Sequence, residues 1–237
     1  MNLQSGLLHW LGVEQSPVSH TERLLSACGG GLGILGIWLV TQFVVGEASL
    51  PIVASMGASA VLLFAVPHGA LSQPWPVIGG HLLSALVGVA CHRWVSSPLV
   101  AAALAVGLSV GLMHYLRCLH PPGGATALTA VIGGSAVHQL GYGYVLAPVG
   151  LNLLVILGIA LLFNAPWRWR RYPVAWARRA PAPSHYPTLT HEDLAAALRQ
   201  IDSFIDVDED DLKLIFTLAE DHARERRMRS RPTASGR

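Results

Sequence analysis

Apolar residues come in long runs along this chain, with few polar positions between them. Four runs reach the roughly 20 residues that an α-helix needs to cross a bilayer. They are Leu24–Val45, Val77–Val95, Leu99–Leu119 and Tyr144–Phe163. Two more runs, Ser55–Val66 (closed by Pro67) and Gly123–Gly133, are too short for that. Each predicts about three helical turns. Such pieces survive at membrane depth only where they are buried in protein or line a cavity. The pattern predicts an all-α, polytopic membrane bundle of about four transmembrane helices plus two short re-entrant or broken helices.

The two short runs resemble each other. Gly57-Ala-Ser-Ala60 matches Gly124-Ala-Thr-Ala127 at an offset of 67, and Gly80–Ala90 lines up with Gly150–Ala160 at an offset of 70. Chance similarity between apolar strings is the alternative, but the shared order of features favours a two-fold repeat, residues 21–95 and 97–164, within a membrane domain at 21–166. Paired interrupted segments in corresponding halves point to a transport site. If both short segments re-enter from one side, the chain crosses four times, the repeats are parallel, and Arg93 shares a face with the C-terminal arginines, as the positive-inside rule prefers. If each completes a crossing, there are six and the repeats are inverted. The four-crossing reading is favoured here, with both termini cytoplasmic.

Composition sharpens this picture. Only 13% of the 237 residues are charged, about half the share of a soluble domain, so the surface is dressed for lipid. Between Phe43 and Phe163 the only formal charges are Glu47, Arg93 and Arg117. Arg168, Arg170, Arg171, Arg178 and Arg179 follow the last span in a Pro-rich linker, 167–188, where a cytoplasmic anchor is expected. No aromatic interleaving or zinc spacing accompanies them, so the partner is the lipid bilayer and not nucleic acid. Residues 1–20 lack the layout of a cleaved signal and read as an interfacial segment. A cytoplasmic helical hairpin is expected at 189–228, its second helix burying Leu212, Ile215, Phe216 and Ala219, before a disordered tail at 229–237. Cys28, Cys91 and Cys118 have no metal or disulfide spacing and are read as buried packing residues.

One motif stands apart: His120-Pro121-Pro122-Gly123-Gly124-Ala-Thr-Ala127 joins the third long run to the second short one. With Ala54–His68 and Gln73–Leu82, it resembles the HPP family of integral membrane proteins over about Thr21 to Ala165. The resemblance implies four membrane-spanning helices, a bacterial inner membrane and, for some relatives, nitrite transport. Other members carry C-terminal nucleotide-sensing modules. The hairpin looks like the connector before them, and the chain ends where they would begin, so adenine-nucleotide regulation is not expected.

The motif's own chemistry can be argued separately. Pro121 and Pro122 stop one helix and suit the start of the next. Gly123 and Gly124 leave its first amides uncovered at the positive end of the helix dipole, a donor cluster suited to a small anion. Thr126 adds a hydroxyl, and Gly57 with Ser59 offers the same arrangement in the first repeat. A structural reading, in which Pro-Pro-Gly-Gly is only a tight break between packed helices, stands beside it. Arg117 is read equally as a pathway cation or an interfacial side chain reaching headgroups. His68 and Asn152 are further candidates for the pathway, while His81, His114 and His138 read as packed residues. No catalytic triad, carboxylate pair or phosphate loop occurs, so no enzyme chemistry, metal or cofactor is expected. The leading expectation is a channel or carrier for a small inorganic anion. The second is a non-transporting scaffold or sensor acting through its tail. The glycine-rich first span leaves room for a homo-oligomer.

Overall fold

A computed structural model describes residues 19–45 and 54–177, together with 212, 214–219 and 221. The elements in order are α1 (His20–Val45), α2 (Ser55–Ala65), α3 (Pro74–Trp94), α4 (Pro98–Tyr115), α5 (Pro121–Ile132), α6 (Ser135–Leu140) and α7 (Leu151–Asn164). A π-helical turn, Val145–Gly150, precedes α7 and completes a fourth span. That span is not the continuous helix expected, because Ala147 is extended (φ −138°, ψ 122°) just before Pro148, which has no amide hydrogen to give. Among the described residues, four helices are long and apolar enough to cross a membrane. Their outward side chains, among them Leu24, Trp38, Phe43, Leu99, Leu154 and Leu162, are exposed, an apolar coat that water would not tolerate but lipid does. Cys28, expected inside, is also exposed, whereas Cys91 and Cys118 are buried.

Four of these helices, α1, α3, α4 and α5, have a local reason to begin. Ser19 accepts a hydrogen bond from the Glu22 amide at 3.1 Å, an N-cap for α1. Proline opens α3, α4 and α5, where its missing hydrogen costs nothing. Helix α4 ends on Arg117, whose φ of 54° lets Cys118 reach back to the Met113 carbonyl at 2.9 Å.

Contacts between element ends fix the direction of every segment. At one face Arg170, just beyond α7, pairs with Glu22 at the start of α1 and donates to the Phe64 carbonyl at the end of α2. The α2–α3 link sits at the same face, since Tyr172 donates to the Ser72 carbonyl at 2.8 Å. So does the end of α4, whose Leu116 carbonyl receives the Trp75 indole at 3.2 Å. At the other face His92, ending α3, stacks on His138 of α6 at 3.7 Å between ring centroids. Arg93 lies over Tyr142 there. The six segments therefore alternate in direction, and the repeats are inverted. The expected parallel, re-entrant arrangement is not what forms, and Arg93 lies opposite the Arg170 face. Both ends of the described bundle, Ser19 and Ala177, share that Arg170 face.

Packing follows the same exchange. Helix α2 packs on α1 and on α7, while α5 packs on α4 and on α3. The ends of the short helices are tied at equivalent positions. Phe64 and Val131 are related by the offset of 67. The Phe64 carbonyl receives Arg170, and the Val131 carbonyl receives His138 Nε2 at 2.9 Å. Arg170, expected as a surface anchor, is buried and also bonds Asn164; Arg168 and Arg171 are exposed.

The interfacial segment proposed for 1–20 lies outside the described residues except for its last two positions. The first hairpin helix lies outside them as well. In the second, 214–219 is helical, and Ile215, Phe216 and Ala219, expected to be buried, are exposed.

Close approach between α3 and α5 depends on glycine. A Cβ on Gly88 would lie 2.5 Å from the Ala127 carbonyl oxygen and 2.7 Å from the Ala130 Cβ. On Gly124 it would meet nothing nearer than Val106, at 3.9 Å. Gly88→Val should therefore lose about 1–3 kcal/mol of stability through overpacking, while Gly124→Ala should be close to neutral. Thermal melting of both variants in detergent checks the contrast.

Candidate functional site

The start of α5 is built from the motif, but its donors are not the amides that the sequence suggested. His120 is the N-cap, with extended backbone at φ −143°, ψ 102°. Pro121 and Pro122 fill the first two helical positions and carry no N–H. The next amide, Gly123, donates to the His120 carbonyl at 2.8 Å. Gly123 is pressed against α3, where a Cβ would stand 2.6 Å from the Gly80 carbonyl oxygen and 2.9 Å from Ser84 Oγ. The glycine is there for helix packing.

The donors that do gather here are side chains. Ser59 and Thr126, equivalent residues in the two repeats, meet His81 from α3 and His120 where α2 crosses α5. Ser55 Oγ lies 2.7 Å from Thr126 Oγ1, which lies 2.6 Å from His81 Nδ1. His81 Nε2 is 2.8 Å from Ser59 Oγ, which is 2.9 Å from His120 Nε2. His120 Nδ1 is 2.8 Å from the Leu71 carbonyl oxygen. Since Ser55 meets Thr126 while Ser59 meets His120, the short helices pass in opposite directions. Ser59, His81, His120 and Thr126 are all fully buried.

Proton counting gives this chain a single direction. A carbonyl oxygen only accepts, so His120 Nδ1 carries the hydrogen and, in a neutral ring, Nε2 accepts. Ser59 then gives its one hydrogen to His120 and must accept from His81 Nε2–H. His81 Nδ1 is left to accept from Thr126, whose oxygen accepts from Ser55. The longer contacts, Ser59 to the Ser55 carbonyl and Thr126 to the Pro122 carbonyl, both 3.3 Å, are the hydroxyls' alternative acceptors. Tyr144 donates to the Thr126 carbonyl at 3.3 Å and closes the cluster beside the fourth span. A hydroxyl or imidazole buried without a partner costs about 1–3 kcal/mol, so the closed chain is what lets these groups stay inside.

The other candidates lie elsewhere. Gly57 is exposed with open space around it. Gly124 faces away from the cluster, into an apolar groove of about 520 Å³ shared with Val106, Val110 and Leu128. Arg117 is exposed at the end of α4. His68 bonds the Arg171 carbonyl at 3.0 Å. Asn152 is buried and accepts from Thr41 at 3.0 Å, with its amide nitrogen unpartnered among the described residues. Sequence reasoning missed Ser55 and dismissed His81 as packing. The repeat offset pointed to the Ser59 and Thr126 pair, but nothing local marked the histidine that joins them.

The profile of the HPP transmembrane region matches residues 15–173. Two proteins of Dictyostelium discoideum, each described as a transmembrane protein, are similar. One is 38% identical over 174 residues, covering 70% of this chain and 56% of that protein. The other is 37% identical over 176 residues, covering 70% of this chain and 61% of its own length. The chain thus matches less than two thirds of the length of these relatives. No solved structure matches it.

The bond logic predicts opposite tautomers for the two rings in the lipid-embedded protein at neutral pH: Nδ1–H for His120 and Nε2–H for His81. Nitrogen-15 NMR of histidine-labelled protein reads this directly, and the same tautomer in both rings would contradict the chain.

Proposed function

The chain belongs to the HPP family of integral membrane proteins, and on that basis we propose that it is a transporter for a small inorganic anion, with its substrate site where α2 and α5 cross. The carrying observation is the fully buried chain of hydroxyls and imidazoles at that crossing. Inverted repeats with broken helices meeting at depth are a recurrent transporter plan, with the substrate held at the repeat interface.

In this reading Ser59, Thr126 and His120, joined by Ser55 and His81, supply the donors. Pro121, Pro122 and Gly123 start α5 and seat it against α3 so that those donors converge. Gly57, Gly124, Arg117, His68 and Asn152 stay outside this central set. A site built from hydroxyls and imidazoles, with no permanent cation, holds a monovalent oxyanion weakly enough to release it, as conduction requires. Nitrite is the candidate suggested by the family resemblance. We place both ends of the bundle on the cytoplasmic side. The curated relatives are eukaryotic, so the reading is not tied to a bacterial membrane.

Nitrite flux into proteoliposomes tests the proposal. Losing one hydrogen bond to a charged substrate is worth about 1.5–3 kcal/mol, so Ser59→Ala and Thr126→Val should each lower flux by roughly tenfold or more. Removing residues 189–237 should leave flux intact. Folded wild-type protein that moves neither nitrite, nitrate nor chloride would favour the scaffold or sensor reading instead.

A further inference from the structure

We infer that the His81–Ser59–His120 unit takes up one proton with each anion, so that transport is an electroneutral anion–proton symport. This rests on reading the α2–α5 crossing as the substrate site. Ser59 Oγ stands between two ring nitrogens, His81 Nε2 at 2.8 Å and His120 Nε2 at 2.9 Å. His120 spends its single hydrogen on the Leu71 carbonyl. With neutral rings, the point between them therefore faces one N–H and one lone pair. A hydroxyl suits that point because it both donates and accepts.

An anion's oxygen does not suit it, since the His120 lone pair would oppose it. One added proton changes the match. When the acid form of the substrate arrives, its O–H bond breaks and an N–H bond forms at His120 Nε2. The products are the anion and an imidazolium, with no electron transferred and no other reactant needed. Two N–H groups then converge on the position of Ser59 Oγ, 2.8 and 2.9 Å away, and the Ser59 side chain rotates aside to admit the anion. Charge balance points the same way. An imidazolium alone or an anion alone pays the full desolvation penalty in this apolar bundle, whereas the adjacent pair offsets much of it.

Nothing else nearby is built to carry the proton. Among the described residues, His92, Arg93 and Glu22 on the packed elements are engaged at the two faces, His114 and Tyr115 of α4 are exposed, and Tyr172 bonds the Ser72 carbonyl. Cys118, beside Gly79 and Gly80, and Tyr144, on the Thr126 carbonyl, lie nearer the unit. Neither gains a proton from its neutral form. Among the described residues, no carboxylate, lysine or arginine is hydrogen-bonded to either ring.

The test uses the full chain in proteoliposomes with sodium nitrite outside, a pH dye inside and a potential set by potassium and valinomycin. Nitrous acid crosses lipid unaided, so protein-free vesicles set the baseline. Protein-dependent nitrite entry should acidify the lumen by one proton per nitrite, quicken as the outside pH falls, and ignore the imposed potential. Nitrite entry that follows the potential without acidifying the lumen overturns the symport and leaves the transporter reading standing. No protein-dependent movement of nitrite, nitrate or chloride sinks both. His120→Gln should lose at least about nine tenths of the proton entry, and undiminished one-to-one entry in that variant, shown to be folded, overturns the assignment to this unit. If His120→Gln does not fold, the wild-type stoichiometry and its response to potential decide the question.

Discussion

A helix of eleven or twelve residues spans less than about 20 Å, so at membrane depth its bare ends must be satisfied by protein. Helices α2 and α5 both carry this debt. The last carbonyls of α2 are met by Ser72 at Leu62, Asn164 at Leu63 and Arg170 at Phe64. Those of α5 are met by the Gly133 amide at Thr129 and His138 at Val131. Prolines and the His120 carbonyl settle the first amides of α5. Much of the rest of the bundle is placed to make these connections: the tail of α7 returns to the start of α1, and α6 folds back under α5.

Once the short helices are held at their ends, their middles are forced together. The inverted arrangement brings α2 and α5 past each other in opposite directions, and the equivalent hydroxyls Ser59 and Thr126 land on either side of His81. Gly80, Gly88 and Gly123 let α3 approach α5 closely enough for the His81 ring to reach both, one nitrogen to each. The polar chain thus follows from repeat symmetry, glycine packing and the carbonyl of Leu71, which sets its direction.

Much of this was legible in the residues. Run lengths gave four long helices and two short ones, and the offset between Gly57 and Gly124 aligns Ser59 with Thr126, the two hydroxyls that bond His81. Direction was not legible, because Arg93 and the Arg168–Arg179 cluster resemble a positive-inside signal on one face. Arg170 is instead consumed by a buried ion pair, and its partner Glu22 lies 148 residues away in sequence. At the start of α5 the prolines carry no N–H and the Gly123 amide is spent on the His120 carbonyl, so the donors that gather there are side chains. His81 was passed over because one histidine in an apolar helix has no periodicity to betray it. The kink at Ala147 comes with Pro148, which a hydropathy reading passes over.

The ties at Phe64 and Val131 occupy matching places in the two halves, yet one is a guanidinium locked to a carboxylate and the other a half-buried imidazole stacked on a second imidazole. An ideal duplication would tie both halves with the same chemistry. Here one tie is an ion pair and the other a hydrogen bond beside two stacked rings, so the same substitution made at both matching places would break unlike bonds. Symmetry in the frame therefore ends in sidedness at the hardware.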